Sequence, residues 1–283
     1  MQCRTLANGV QLPMIGYGTF QIQDAALCEQ CVSDALEAGY RLFDTAAAYG
    51  NEAAAGAALR RSGLPRREWF VTTKLWVQDA SYDGTLRAFD RSLKNLGLEQ
   101  IDLYLIHQPF GDYYGAWRAM ERLYQEGAVR AIGVSNFSPE RLVDLCMNHE
   151  IRPMVNQIEI HPFFQQHTAL RVMADYGVVP QAWGPFSEAQ KDIFNHKTLT
   201  KIAGRHGKTT AQVILRWHLQ RNIPAIPKTV QKERMAENLD IFDFTLSEKE
   251  MKSIAGMDIG HSEIIDHRCF STARQLNSVR IHS

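Results

Sequence analysis

Short apolar runs with strand character recur along this chain, and each ends in a polar residue able to do chemistry. Arg41-Leu42-Phe43 runs into Asp44, residues 69–73 run into Lys74, and Ile101 to Ile106 run into His107. Later runs stop at Ser135-Asn136, Gln157, Trp183 and Lys228, and stretches with helical spacing separate them all. When strands and helices alternate in this way the sheet is parallel, and closing it into a barrel gathers the carboxyl ends of all strands on one rim. The order therefore predicts an α/β protein, a (β/α)8 TIM barrel in which residues distant in sequence share one pocket.

Strands are expected near residues 14–18, 40–44, 69–73, 101–106, 129–134, 154–157, 178–183 and 224–227, with helices at 25–38, 82–96, 116–126, 139–148, 167–176 and 210–220. Gly39, Gly97, Gly127 and Gly177 stand where four of these helices should stop. Thr5 to Leu12, with Asn8-Gly9 at its centre, reads as an N-terminal β-hairpin able to plug one end of the barrel. Two extra helices are expected around 197–205 and 247–255, and the C-terminal loop from Gly260 onward shows no clear period. No linker divides the chain, so residues 1–283 read as a single domain.

Composition removes several function classes. The 31 basic and 31 acidic side chains cancel, which offers no electrostatic case for nucleic acid or an anionic membrane. Any anion must be caught locally. With no long unbroken apolar stretch and no signal-type h-region, the chain reads as cytoplasmic. Five cysteines are an odd count, as expected of reduced thiols. Cys28-Glu29-Gln30-Cys31 has metal-site spacing but no second ligand pair nearby, so no metal is expected. A dinucleotide-binding open sheet fails at its checkpoint: Gly16-Tyr17-Gly18 lacks the third glycine, and no acidic residue is placed for an unphosphorylated ribose.

Four polar residues, Asp44, Tyr49, Lys74 and His107, combine into a proton donor. A tyrosine has an ordinary pKa of about 10, and a neighbouring ammonium stabilises its phenolate and so lowers that value. Lys74 is placed to be that ammonium, Asp44 to fix the lysine by an ion pair, and His107 to orient a bound carbonyl.

The stretches Asp44-Thr45-Ala46-Ala47-Ala48-Tyr49-Gly50-Asn51-Glu52, Thr73-Lys74-Leu75-Trp76, Leu105-Ile106-His107-Gln108-Pro109, Ile132-Gly133-Val134-Ser135-Asn136-Phe137 and Ile226-Pro227-Lys228-Thr229 resemble the aldo-keto reductase superfamily, most closely bacterial members similar to 2,5-diketo-D-gluconate reductases. The resemblance implies NADPH-dependent reduction of a small-molecule aldehyde or ketone, with Asp44, Tyr49, Lys74 and His107 as the catalytic four and Tyr49 as general acid. It implies that Ser135, Asn136 and Gln157 hold the nicotinamide carboxamide, that Trp183 lies against the ring, and that Gly184 and Phe186 are among the cofactor-binding residues. Lys228, Thr229, Val230, Arg234, Glu237 and Asn238 match the adenosine end. The lysine and arginine suit a 2′-phosphate, which selects NADPH (NADP+) over NADH. Trp76 and Gln108 match substrate-lining positions, although many members carry tryptophan where this chain has Gln108. A glycine frequent in relatives near the pyrophosphate is here Ala189. The protein is expected to act as a monomer, with the tail from His261 selecting substrate.

Two rival readings differ in class. One is a cofactor-binding barrel that reports redox state to a partner with little turnover. The other is a lyase or isomerase forming a Schiff base on Lys74, a scheme in which Asp44 and Tyr49 have no evident task.

Overall fold

In the computed structural model, which describes residues 2–283, the chain opens with an antiparallel hairpin, β1 (Cys3–Thr5) and β2 (Gln11–Pro13). Seven parallel strands follow, each beside the next: β3 (Tyr17–Gly18), β4 (Leu42–Asp44), β5 (Phe70–Leu75), β6 (Ile101–Ile106), β7 (Val129–Ser135), β8 (Val155–Glu159) and β9 (Val179–Trp183). Every residue of β5 and β6 is buried, as a parallel strand covered on both faces must be. The eighth stave, expected at 224–227, is a bridge rather than a ladder. Ala225 pairs with both Ile15 and Ala182, and hydrogen bonds from Ala225 N to Met14 O (2.9 Å) and from Ile226 N to Ala182 O (3.1 Å) close the ring. Pro224 and Pro227 flank it without N–H donors, so the ladder cannot lengthen.

The helices are α1 (Ala25–Ala38), α2 (Glu52–Arg61), α3 (Tyr82–Leu96), α4 (Tyr113–Gln125), α5 (Pro139–Asn148), α6 (His167–Tyr176), α7 (Lys197–His206), α8 (Thr210–Gln220), α9 (Lys232–Leu239), α10 (Glu248–Ala255) and α11 (Phe270–Ser278). Five of the six expected spans coincide with these bounds. The sixth, α4, starts three residues early because the Asp112 carboxylate accepts from Gly115 N and caps a first turn there. Gly39 (φ 109°), Gly97 (φ 64°) and Gly177 (φ 71°) end α1, α3 and α6 in the left-handed conformation that glycine reaches without strain. The two additional helices appear as α7 and α10. Cys28 and Cys31 lie on the buried face of α1, where burial pushes Cys28 up to about 12.

The hairpin closes the end of the barrel opposite the strand tips. Its Asn8 side chain donates to Arg130 O (2.9 Å) near the start of β7, and Leu6 and Leu12 join the buried core. The C-terminal segment corrects an expectation: it contains α11 and is docked. Leu276 is the one buried residue of α11, so no apolar stripe betrays the helix in the sequence. That leucine packs with Trp76, Val77 and Phe110, while Trp76 Nε1 donates to Val279 O (3.0 Å) and Gln78 Nε2 to His282 O (2.9 Å). Among the described residues no helix is long and apolar enough to cross a membrane.

Candidate active site

The register of the parallel strands brings Asp44, Lys74 and His107 to one rim. Asp44 is the last residue of β4, Lys74 the fifth of β5, and His107 follows β6 directly. Tyr49 ends a short 3-10 turn, Ala47–Tyr49, after β4. That turn is held by buried Asn51, whose Nδ2 donates to Thr19 O (2.9 Å) and Ile22 O (3.0 Å) while its Oδ1 accepts from Thr45 Oγ1 (2.8 Å). Asn51 was legible only as part of a motif, without a role.

Lys74 joins the group together. Its Nζ forms a buried ion pair with Asp44 Oδ1 and donates to Thr45 O (2.9 Å) and to the Tyr49 hydroxyl (3.3 Å). Burial pulls the Lys74 ammonium down, but the charges and hydrogen bonds of Asp44 and Tyr49 outweigh it, and its pKa rises above the ordinary 10.5. A Schiff base needs the neutral amine, and Lys74 is fully buried and paired. The lyase reading has no support in this geometry.

Tyr49 departs from expectation in the sign of its shift. Burial raises the phenol above its ordinary 10.0, Lys74 pulls it down and Asp44 pushes it up; burial wins. His107 moves the other way: burial, Lys74 and His267 together hold the imidazole well below 6.5, so it is neutral at pH 7. Its ring meets Tyr49 edge-on at 5.5 Å and Trp76 at 5.2 Å between centroids, and its Nδ1 is buried without a partner. These directions set a pH profile. Proton donation requires the phenol, which a raised pKa keeps protonated, so kcat for carbonyl reduction should be flat between about pH 6 and pH 9. Alcohol oxidation needs the phenolate and should still be rising at about pH 10. Steady-state kcat in both directions checks this, and a reduction break near pH 6.5 that vanishes in His107→Gln would contradict a neutral imidazole.

A cavity of about 740 Å³ runs from these residues past Gln108, Ser135, Asn136, Gln157, Trp183, Gly184 and Phe186 to Lys228 and Arg234. Several of its polar groups are already engaged. Gln157 Nε2 donates to Asp44 Oδ2 (2.7 Å) and Gln181 Oε1 (2.9 Å), Ser135 Oγ to Gln157 O (2.8 Å), and Asn136 Nδ2 to His107 O (3.0 Å). Asn136, at φ 63°, accepts the Trp183 indole N–H (2.8 Å). The expected nicotinamide-binding residues thus also brace Asp44 and Trp183, which sequence alone does not reveal.

Lys228 and Arg234 are exposed and line the cavity, as a site for an external phosphate requires. Thr229, Val230, Glu237 and Asn238 lie outside the lining. Glu237 accepts from Thr209 Oγ1 (2.8 Å), Asn238 is buried, and Thr229 O accepts from Tyr17 OH (2.5 Å). In the loop after β9, Glu188 (φ 46°) and Ala189 (φ 63°) line the cavity in the left-handed region, which glycine would reach with less strain than the alanine present. Phe20, Ile264, Ile265, His267, Leu276 and Val279 also line it, none singled out beforehand. Five of these six belong to the tail.

A model of the aldo/keto reductase family matches residues 14–259. The chain is 46% identical over 254 residues to the 9,11-endoperoxide prostaglandin H2 reductase of Trypanosoma cruzi, covering 89% of this chain and 90% of the relative. It is 44% identical to the glyoxal reductase of Bacillus subtilis, covering 89% and 91% of the two chains. The aldo-keto reductase of Bombyx mori in complex with NADP superposes with a TM-score of 0.88 at 35% identity, covering 93% of this chain and 94% of that one. With the closed barrel and the rim described above, these similarities make the chain a member of the aldo/keto reductase family.

Proposed function

We propose that this protein reduces aldehydes or ketones to alcohols with NADPH, and that Tyr49 delivers the proton. The observation that carries the reading is Lys74 Nζ, shared among Asp44, Thr45 O and the Tyr49 hydroxyl beside a neutral His107. When bound, NADPH supplies the hydride for the carbonyl carbon. Tyr49 gives its proton to the carbonyl oxygen, and the ammonium 3.3 Å away stabilises the phenolate left behind. Asp44 keeps that ammonium charged, and Gln157 holds Asp44 in place. His107 presents an uncharged ring nitrogen to the carbonyl oxygen, and Trp76 and Gln108 wall the substrate.

In this reading Ser135, Asn136, Gln157, Trp183, Gly184 and Phe186 hold the nicotinamide end, and Lys228, Thr229, Val230, Arg234, Glu237 and Asn238 the adenosine end. The NADP complex of the Bombyx mori relative supports it. Relatives named for a prostaglandin endoperoxide and for glyoxal show that family membership leaves the substrate open. We read residues 1–283 as one domain, a monomer in the cytoplasm; the contiguous core supports the single domain. A panel of aldehydes and ketones followed by NADPH absorbance tests the function. Cofactor binding without turnover of any carbonyl would favour the redox-reporting reading instead.

A further inference from the structure

Asn51 stands at the N-cap of α2, a position that favours asparagine because its side chain can cap the first turn. Here it does not. Asn51 O accepts from Ala55 N (3.0 Å), but the side chain makes no cap bond. The buried amide is turned instead to the loops after β3 and β4, where both its donors and its acceptor are used. Its Nδ2 donates to Thr19 O (2.9 Å) and Ile22 O (3.0 Å), and its Oδ1 accepts from Thr45 Oγ1 (2.8 Å). The Thr19 hydroxyl shares its proton between Asn51 Oδ1 (3.3 Å) and Asp44 O (3.1 Å).

These partners are the neighbours of the proton donor. Thr45 O accepts from Lys74 Nζ (2.9 Å), and Thr19 N donates to Asp44 O (3.0 Å). Between Thr45 and Asn51 lie Ala46-Ala47-Ala48-Tyr49-Gly50, and the three alanines and the glycine have no polar side chain with which to fix the turn. The bond from Thr45 to Asn51 fastens that segment at both ends. Thr19 O and Ile22 O also bracket Phe20, whose ring lies 5.0 Å from that of Tyr49 between centroids. One amide thus sets the segment that carries Tyr49 and the segment that leans on it.

We infer that Asn51 is a positioning residue for proton transfer: its amide holds the Tyr49 hydroxyl at the Lys74 ammonium and acts on the reaction through that hydroxyl alone. The inference rests on reading this cavity as the carbonyl-reducing site. Asn51 lies outside the cavity lining, so its loss should spare substrate and cofactor binding. It should not spare the rate, because a misplacement of about 1 Å at the reacting atoms can cost about 10². Aspartate is no substitute, since it has no N–H to give to Thr19 O and Ile22 O.

Single-turnover hydride transfer, with saturating NADPH and a carbonyl that the wild type reduces, makes the test. Asn51→Ala should slow it by about 10–10²-fold, while the Kd for NADPH and the KM for the carbonyl stay within about twofold. The decisive measurement repeats the substitution in Tyr49→Phe. With the hydroxyl gone, losing Asn51 should cost no more than about twofold further, whereas an asparagine that only supports the fold would impose the same loss in either background. Thr45→Val keeps the side chain's shape and removes the hydroxyl that Asn51 accepts from, so it serves where Asn51→Ala does not fold. It should lose about tenfold in the wild-type background and little in Tyr49→Phe, and Thr45→Ser should lose less than Thr45→Val. Losses that multiply fully in the double variant, a folded single variant within about twofold of the wild-type rate, or a loss that falls on NADPH affinity would each overturn the inference and leave the carbonyl-reductase reading standing. A wild type that reduces no carbonyl overturns both.

Discussion

Replacing Tyr49 by phenylalanine should lower kcat for carbonyl reduction by about 10²–10⁴, the usual worth of general acid catalysis, while the Kd for NADPH stays nearly constant. The substitution is clean because the ring's packing does not depend on the hydroxyl. Phe20 lies 5.0 Å and His107 5.5 Å from the Tyr49 ring centroid, and Lys74 Nζ sits 5.0 Å over the ring. Only the 3.3 Å hydrogen bond from Lys74 is lost, and that ammonium keeps Asp44 and Thr45 O. Stability should therefore fall by about 1.5 kcal/mol, the low end for a hydrogen bond to a charged group, because the bond is long. Removing Lys74 would be a poorer test, because it strands the Asp44 carboxylate in the interior at a cost of about 3–5 kcal/mol. Single-turnover hydride transfer with saturating NADPH makes the measurement. A Tyr49→Phe enzyme working near the wild-type rate would remove the phenol from the mechanism.

How far this site could be read from the sequence follows from what fixes each part of it. Strand tips are legible because an apolar run that stops at a single polar residue must put that residue on the rim, and Asp44, Lys74 and His107 all conform. Helix ends were legible through Gly39, Gly97 and Gly177, whose positive φ is a local property. The eighth stave was placed correctly, but its prolines reduce it to the two bridges at Ala225. Tertiary facts were not legible. The sign of the Tyr49 shift depends on how deeply its loop is buried, and Lys74 alone points the wrong way. The bond from Gln157 to Asp44 and that from Trp183 to Asn136 join residues far apart in the chain. Helix α11 exposes Phe270 and buries Leu276, so docking against Trp76, not periodicity, places His267 and Val279 in the cavity.

Wild-type protein should bind NADPH about 10²-fold more tightly than NADH, and the double variant Lys228→Ala, Arg234→Ala should lose most of that preference. A charged hydrogen bond contributes about 1.5–3 kcal/mol, and the lower end is the right choice here because both side chains are exposed to solvent. Two such bonds give about 3 kcal/mol, or roughly 10² in Kd. Both cations are exposed and line the cavity, where an incoming phosphate can reach them. One carboxyl in the lining does feel Lys228: Glu188 is pushed up by burial and by Glu159 and drawn back by Lys228. Because the attraction is between exposed charges, the preference should shrink as ionic strength rises from about 0.02 M to about 0.5 M, over which the screening length falls from roughly 20 Å to roughly 4 Å. A buried, shape-based selection would not respond in that way. Titrating both cofactors against both proteins at the two salt levels separates the cases: equal dissociation constants for NADH and NADPH in the wild type would end the assignment. A preference retained in the double variant would move the 2′-phosphate away from these two side chains.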